Sequence, residues 1–313
     1  MMNHLDTVTG FAPATSANVA VGFDILGFAI KHLGDEVTLK KTPDHHLNII
    51  SITGMEQVPY DVEKNTATVA MQAMLDYLNL KQGFNLIIKK NIPLSSGLGG
   101  SAASSVAALV ALNGFLKKPL PLEQLVEFAL VGEEAACGVR HGDNVIPSLF
   151  GGMTLIQSLS PVDIIQLPLI PIYIVLLHPH LHLDTRDSRE VLQQKINLSD
   201  HVKQSASLAS FISALYEKNY HRLQSACVDE LIEPMRAHLI PGFYEVKAAA
   251  IHSGALACSI SGSGPTLFAL AKTTQLAQLI AKNMGLVFKK NGIEYDSFIT
   301  TISLQGAREI NEK

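Results

Sequence analysis

The segment Pro93-Leu94-Ser95-Ser96-Gly97-Leu98-Gly99-Gly100-Ser101-Ala102-Ala103-Ser104-Ser105 constrains this chain more than any other. A proline punctuates it, three glycines crowd Gly97–Gly100, and a run of small and apolar residues without Gly or Pro continues from Ala102 to Asn113. That run predicts a buried helix, and the glycines predict a tight turn feeding its start. Such a turn offers unpaired backbone N–H groups and the positive end of a helix dipole, and its backbone approaches an anion where no Cβ intervenes. The stretch therefore predicts a phosphate site. Ser101 either caps the helix or lends its hydroxyl to a metal–phosphate complex. A serine-capped helix by itself needs fewer glycines than this.

Two better-known phosphate loops fit less well. A Walker-type loop needs a lysine beside its final Ser/Thr, and no lysine lies between Lys90 and Lys117. Gly97, Gly99 and Ala102 match the dinucleotide pattern G-x-G-x-x-A, but the predicted strand Phe84–Ile88 ends well before Gly97. The acidic residue required about 20 positions later falls near Glu123, inside a helical pattern rather than at a strand end.

Composition sets the remaining bounds. The 313 residues are 47% hydrophobic and 17% charged, which gives ample core and a length suited to about two domains. A net charge of −4 leaves no footprint for nucleic acid. The lysine pairs, Lys89–Lys90 among them, read as solvated surface charge. Met1–Gly10 lacks an apolar signal core, and the longest apolar run, Ile164–Leu177, is too short to span a bilayer and reads as one buried strand. Cys137, Cys227 and Cys258 are widely spaced and odd in number, as expected of buried thiols in a cytoplasmic protein. No membrane partner is expected.

Strand patterns at 36–40, 47–52 and 84–90 mix with helical ones at 66–79, 101–116 and 121–136. Strands follow at 151–158 and 172–178, and helices fill 187–253, including Val202–Tyr216, Arg222–Glu233 and Phe243–Ser253. The chain closes on strands at 257–260 and 266–271, a helix at 273–284 and a strand at 295–302. This order predicts an α+β fold rather than a doubly wound parallel sheet. The prolines at 161, 168 and 171 mark the break between a nucleotide-binding domain (1–165) and a substrate-completing domain (166–313).

The glycine-rich loop closely resembles the ATP loop of the galactokinase–homoserine kinase–mevalonate kinase–phosphomevalonate kinase (GHMP) superfamily. Two further blocks occur in that superfamily's order: Ala12–Gly27 (APATSANVAVGFDILG) and Ser259–Thr266 (SISGSGPT). One departure is visible, because Gly100 stands where the superfamily usually has the first of two serines. The segment Arg140-His141-Gly142-Asp143-Asn144-Val145-Ile146-Pro147 resembles the homoserine kinase branch, as do Thr185 with Arg189 and Glu233-Pro234-Met235-Arg236.

The resemblance implies a two-domain architecture, ribosomal-S5-like then ferredoxin-like, and ATP- and Mg²⁺-dependent phosphorylation of the hydroxyl of L-homoserine. It implies that the loop residues Pro93 to Ser104 cradle the phosphates and that Ser101 and Glu133 hold Mg²⁺. Arg189 and Arg236 would clamp a carboxylate, as planar bidentate donors do, with Asn18, Asp24, His141, Asn144, Thr185 and Gly262 placing the rest of the substrate. Asp24, the only charge in Ala12–Gly27, either accepts the hydroxyl proton or only orients the substrate. Asn65 either lies beside the adenosine or simply caps the following helix. The bland alternatives stay open: an exposed helix acid for Glu133, loop hydrogen bonding for His141 and Asn144, surface charge for a lone arginine. A metal patch at His178, His180 and His182 lacks nearby acidic or thiol ligands. The resemblance admits a homodimer, while the sequence leaves the oligomeric state open. The other readings are a sister kinase for another small alcohol and a nucleotide-binding regulator without transfer activity.

Overall fold

The computed structural model describes residues 2–54, 58–193 and 195–310. In chain order the elements are β1 (Thr7–Ala17), β2 (Leu26–Thr42), β3 (Leu47–Thr53), α1 (Thr66–Tyr77), β4 (Gly83–Lys89), α2 (Gly100–Gly114), α3 (Leu122–Cys137), α4 (Gly142–Phe150), β5 (Met153–Leu159) and β6 (Val162–Leu167). The second half holds β7 (Tyr173–Pro179), α5 (Thr185–Glu190), α6 (Leu198–Glu217), α7 (Tyr220–Ala226), α8 (Ile232–Arg236), α9 (Phe243–His252), β8 (Ala257–Ile260), β9 (Leu267–Ala271), α10 (Thr274–Lys290), β10 (Tyr295–Thr300) and β11 (Arg308–Ile310).

Two sheets organise these elements. The first runs β11-β1-β2-β4-β3, with β5 on β2 and β6 on β5; every pairing is antiparallel except β3 with β4. The second runs β10-β7-β9-β8, antiparallel throughout. The α+β expectation holds. Helix α2, buried on all sides from Ala102 to Asn113, packs against β1, β2, α1, α3 and α4 and forms the centre of the first layer.

Period-two alternation explains how the two halves join. On β7 and β9, Ile174, Leu176, Phe268 and Leu270 face the core shared with the first half, where Phe268 meets Phe28 edge-on at 6.2 Å. Val175, Leu177, Leu267, Ala269 and Ala271 face a second core closed by α9 and α10. Helix α10 buries Ala277, Ile280, Ala281, Met284 and Phe288, the spacing of a single helical face.

Several expectations change. The run Ile164–Leu177 is two strands, because Pro168 and Pro171 interrupt it, and β6 is largely uncovered while β7 is buried. The expected boundary at 165/166 falls inside β6, which belongs to the first sheet; the crossing is at 168–172, and β11 later returns the chain to β1. Arg222–Glu233 is not one helix, since residues 227–231 separate α7 from α8. His141 and Asn144 lie not in a loop but at the start of α4, where His141 is the residue preceding the first turn. Lys90 is not solvated: it is buried, as is its partner Asp35. Cys227 and Cys258 are buried free thiols, with burial pushing each up to about 12; the Cys137 thiol lies outside what is described. No described helix is long and apolar enough to cross a membrane.

Candidate active site

The three glycine- and serine-rich blocks meet. The Thr15 amide donates to the Leu98 carbonyl (3.1 Å) and the Thr266 amide to the Ser96 carbonyl (3.2 Å). The Ser261 hydroxyl lies 2.9 Å from both the Gly97 carbonyl and the Ser16 hydroxyl. Gly97 and Gly99 take left-handed conformations at φ 74° and 67°. A Cβ on Gly97 would come within 2.3 Å of the Ser261 carbonyl, and one on Gly99 within 2.1 Å of the Thr15 hydroxyl. Glycine is required at both positions for backbone conformation and for space.

Gly99 is the N-cap of α2 and has no side chain to cap it, so the first-turn amides of this helix are not taken by a capping hydroxyl. Ser101 therefore does not cap the helix; its hydroxyl bonds the Glu133 carboxylate from α3. Burial pushes Glu133 up, opposed by Ser101 and by the Lys90 charge. A hydroxyl beside a carboxylate is a hard oxygen pair suited to Mg²⁺, which commonly takes one or two protein oxygens plus phosphate oxygens.

Below the turn, Lys90 spends its donors on Asp35, on the Gly100 carbonyl (2.7 Å) and on the Ser104 hydroxyl (2.9 Å). Asp35 also accepts from Ser104 (3.0 Å) and from the amides of Asn91 and Ile92 (3.0 and 3.2 Å). This closed knot ties β2 and the loop entry to the first turn of α2. Ser104 thus serves the scaffold under the phosphate turn. Leu98, Ala102 and Ala103 point into the core and offer the site only backbone. Asn65 caps α1, accepting from the Ala67 amide (3.0 Å) and donating to Pro59 (2.9 Å), while also lining the cavity.

A cavity of about 830 Å³ runs from Val58, Lys64 and Asn65, past Pro93–Gly97 and Gly99–Ser101, to a charged end. Asn18, Asp24, Glu133, His141, Asn144, Thr185, Arg189, Arg236 and Gly262 all line it. The block-one turn is left-handed at Asn18, Val19, Ala20 and Asp24, with φ between 48° and 70°, an uncommon conformation for a β-branched residue such as Val19. The Asn18 side chain fixes it by donating to Gly262 (2.9 Å) and accepting from the Asp24 amide (3.1 Å).

Arg189 grips Asp24 through two nitrogens, at 2.6 and 3.3 Å. It also lies 3.1 Å from His141 Nδ1. Burial and Arg189 hold His141 low, so the ring is neutral; with Nδ1 accepting from Arg189, its proton sits on Nε2. Arg236, buried, donates to Ser188 (2.9 Å) and Gly262 (3.0 Å), and burial first, then Arg189, pulls it down to about 10. Thr185 meets Ser263 at 3.2 Å, and Asn144 accepts from Thr15 at 2.8 Å.

Two site residues escaped the sequence reading. Asp143, at the start of α4, lines the cavity, and burial with the nearby Asp24 charge pushes it up to about 7. Phe23 lies under both arginines. Asp143 stood inside the quoted motif, and its acidic character next to His141 was the available signal.

An amide-lined turn at a helix start, a hard oxygen pair and a charged recess beyond them make up a phosphotransferase cleft for a small polar acceptor. Family models agree: GHMP kinases N terminal domain matches residues 65–152 and GHMP kinases C terminal matches 211–290. The homoserine kinase of Chlorobaculum tepidum is 42% identical over 98% of this chain and 99% of its own, and that of Xylella fastidiosa 42% over 95% and 92%. The crystal structure of homoserine kinase from Cytophaga hutchinsonii superposes with a TM-score of 0.94 at 40% identity, covering 99% of each chain. L. major mevalonate kinase, at 16% identity and TM-score 0.74, shares the fold over 96% of this chain and 99% of that one. The chain belongs to the homoserine kinase family of GHMP kinases.

Proposed function

We propose that this chain transfers the terminal phosphoryl group of ATP to the side-chain hydroxyl of L-homoserine, giving O-phospho-L-homoserine and ADP. The observation that carries the reading is the convergence of Asp24, Arg189 and Arg236 beside the amide-lined turn. An ammonium pairs with Asp24 and a carboxylate with the guanidinium groups, which leaves the distal hydroxyl directed toward the phosphates. Where Mg²⁺ is bound, it neutralises phosphate charge, and the Ser101 hydroxyl and Glu133 carboxylate are the groups that would hold it. The Asn65 end of the cavity suits the nucleoside.

In the transfer, the hydroxyl oxygen bonds to the terminal phosphorus while the bond to the bridging oxygen of ADP breaks, and the hydroxyl proton must leave. Asp24 is engaged by Arg189, which suits an orienting role. Asp143, held near 7 in the same recess, has the basicity of a proton acceptor at neutral pH. Much of the rate in such reactions comes from positioning and electrostatics, so the acceptor is one contributor among several.

The test is incubation with Mg²⁺-ATP and a panel of hydroxy compounds, with phosphorus NMR reading the product. Homoserine is expected to yield a phosphate ester with stoichiometric ADP. An ester from another alcohol but none from homoserine overturns the substrate, and ATP binding without ADP release on any acceptor overturns the enzyme.

A further inference from the structure

We propose that Phe23 is a specificity-determining residue of the acceptor site, its ring a shared platform that holds the two guanidinium groups of Arg189 and Arg236 side by side. The inference rests on the carboxylate-clamp reading above and adds the element that makes the clamp stand. The guanidinium carbons of Arg189 and Arg236 lie 5.4 and 5.2 Å from the centroid of the Phe23 ring. Both distances are within cation–π range. The ring is half-buried and lines the cavity, so it borders the space the acceptor occupies.

Two like charges in one recess repel each other, and each pulls on whatever neutralises it. Asp24 satisfies Arg189 through two bonds, but among the described residues the hydrogen-bond partners of Arg236 are the neutral carbonyls of Ser188 and Gly262. An aromatic face supplies negative electrostatic potential to both cations without consuming a hydrogen bond, so their remaining N–H groups stay available for an incoming carboxylate. A carboxylate on the platform would occupy a fully charged clamp, as opposed to a single arginine. The backbone holds the ring in place: Asn18 bonds the Asp24 amide directly after Phe23, and Gly22 closes the turn onto the Asn18 carbonyl at 2.8 Å.

The experiment compares Phe23→Leu, Phe23→Met and Phe23→Tyr with Arg236→Ala, using homoserine and, as an inhibitor, its carboxylate-free analogue homoserinol. Loss of the ring is expected to raise KM for homoserine about tenfold in the Leu and Met variants, with KM for ATP and kcat within about twofold. Tyrosine, which keeps the π-face, restores KM, and the inhibition constant of homoserinol moves less than threefold in all three. A raised KM in Arg236→Ala with an unchanged KM in both Leu and Met variants overturns the platform alone. An unchanged KM in Arg236→Ala as well overturns the carboxylate clamp and the platform with it. Equal losses for homoserine and homoserinol assign the ring to general packing and also overturn the proposal.

Discussion

Arg189 and Asp24, separated by 165 positions in sequence, are joined by two hydrogen bonds of 2.6 and 3.3 Å in the lining of the cavity. Each group thereby neutralises the other, and on the proposed reading a zwitterionic amino acid would replace the pair with one partner for each. Such an exchange would keep both groups neutralised, which would lower the desolvation cost of filling the recess.

Asp24→Asn is expected to raise KM for homoserine about 10- to 100-fold, while kcat falls by less. Steady-state kinetics at saturating ATP checks this. A collapse of kcat at constant KM would make Asp24 the proton acceptor instead.

Asp143 gives a pH prediction. Its folded value, about 7, lies above the ordinary 3.8, so the carboxylate proposed as proton acceptor forms only as pH rises through neutrality. The rate is expected to fall with a slope of one below pH 7, and Asp143→Asn to flatten that limb and cut kcat about 10²- to 10⁴-fold. The same shift means the folded state holds a proton that the unfolded chain releases. Its stabilising effect is therefore full below about pH 4 and is lost as pH rises through 7. Thermal melts across that range read the second effect independently of turnover.

Lys90→Met leaves the Asp35 carboxylate buried without its cation. A loss of about 3–5 kcal/mol is expected, measured by denaturant unfolding. Adding Asp35→Leu removes the stranded charge and is expected to recover part of that loss. A double-mutant cycle reads the coupling between the two sites.

Gly97→Ala forces a left-handed alanine whose Cβ meets the Ser261 carbonyl at 2.3 Å. KM for ATP is expected to rise at least tenfold, with little change in KM for homoserine, which separates damage to the phosphate turn from damage to the acceptor recess.

Glu133→Gln removes the one charged oxygen of the proposed cation pair. The Mg²⁺ concentration for half-maximal rate is expected to rise about tenfold, and Ser101→Ala to raise it less. A titration at fixed free ATP measures both.

The parts legible in the sequence were those written locally. Helix α2 announced itself through an unbroken run of small residues, and the glycines of its entry turn through their clustering. Strand β1 was not marked out, because it is buried on both faces and carries Pro13, so alternation is absent. Helix α4 was masked by Gly142 and Pro147, which read as loop punctuation. Lys90 resembled any surface lysine because what buries it, Asp35, lies 55 residues earlier and on another strand. Arg189 and Arg236 were identified through a family resemblance; spacing alone holds no trace of the recess that assembles them, and none of Phe23 beneath.

The turn between Pro93 and Gly100 is stitched from both halves of the chain: Thr15 fastens it from one side, and Ser261 with Thr266 from the other. The shape of the turn is therefore a joint product of the two halves. A fragment ending after β6 would keep the glycines yet lose two of these three sutures, so the glycine turn is not a module that can be lifted out intact.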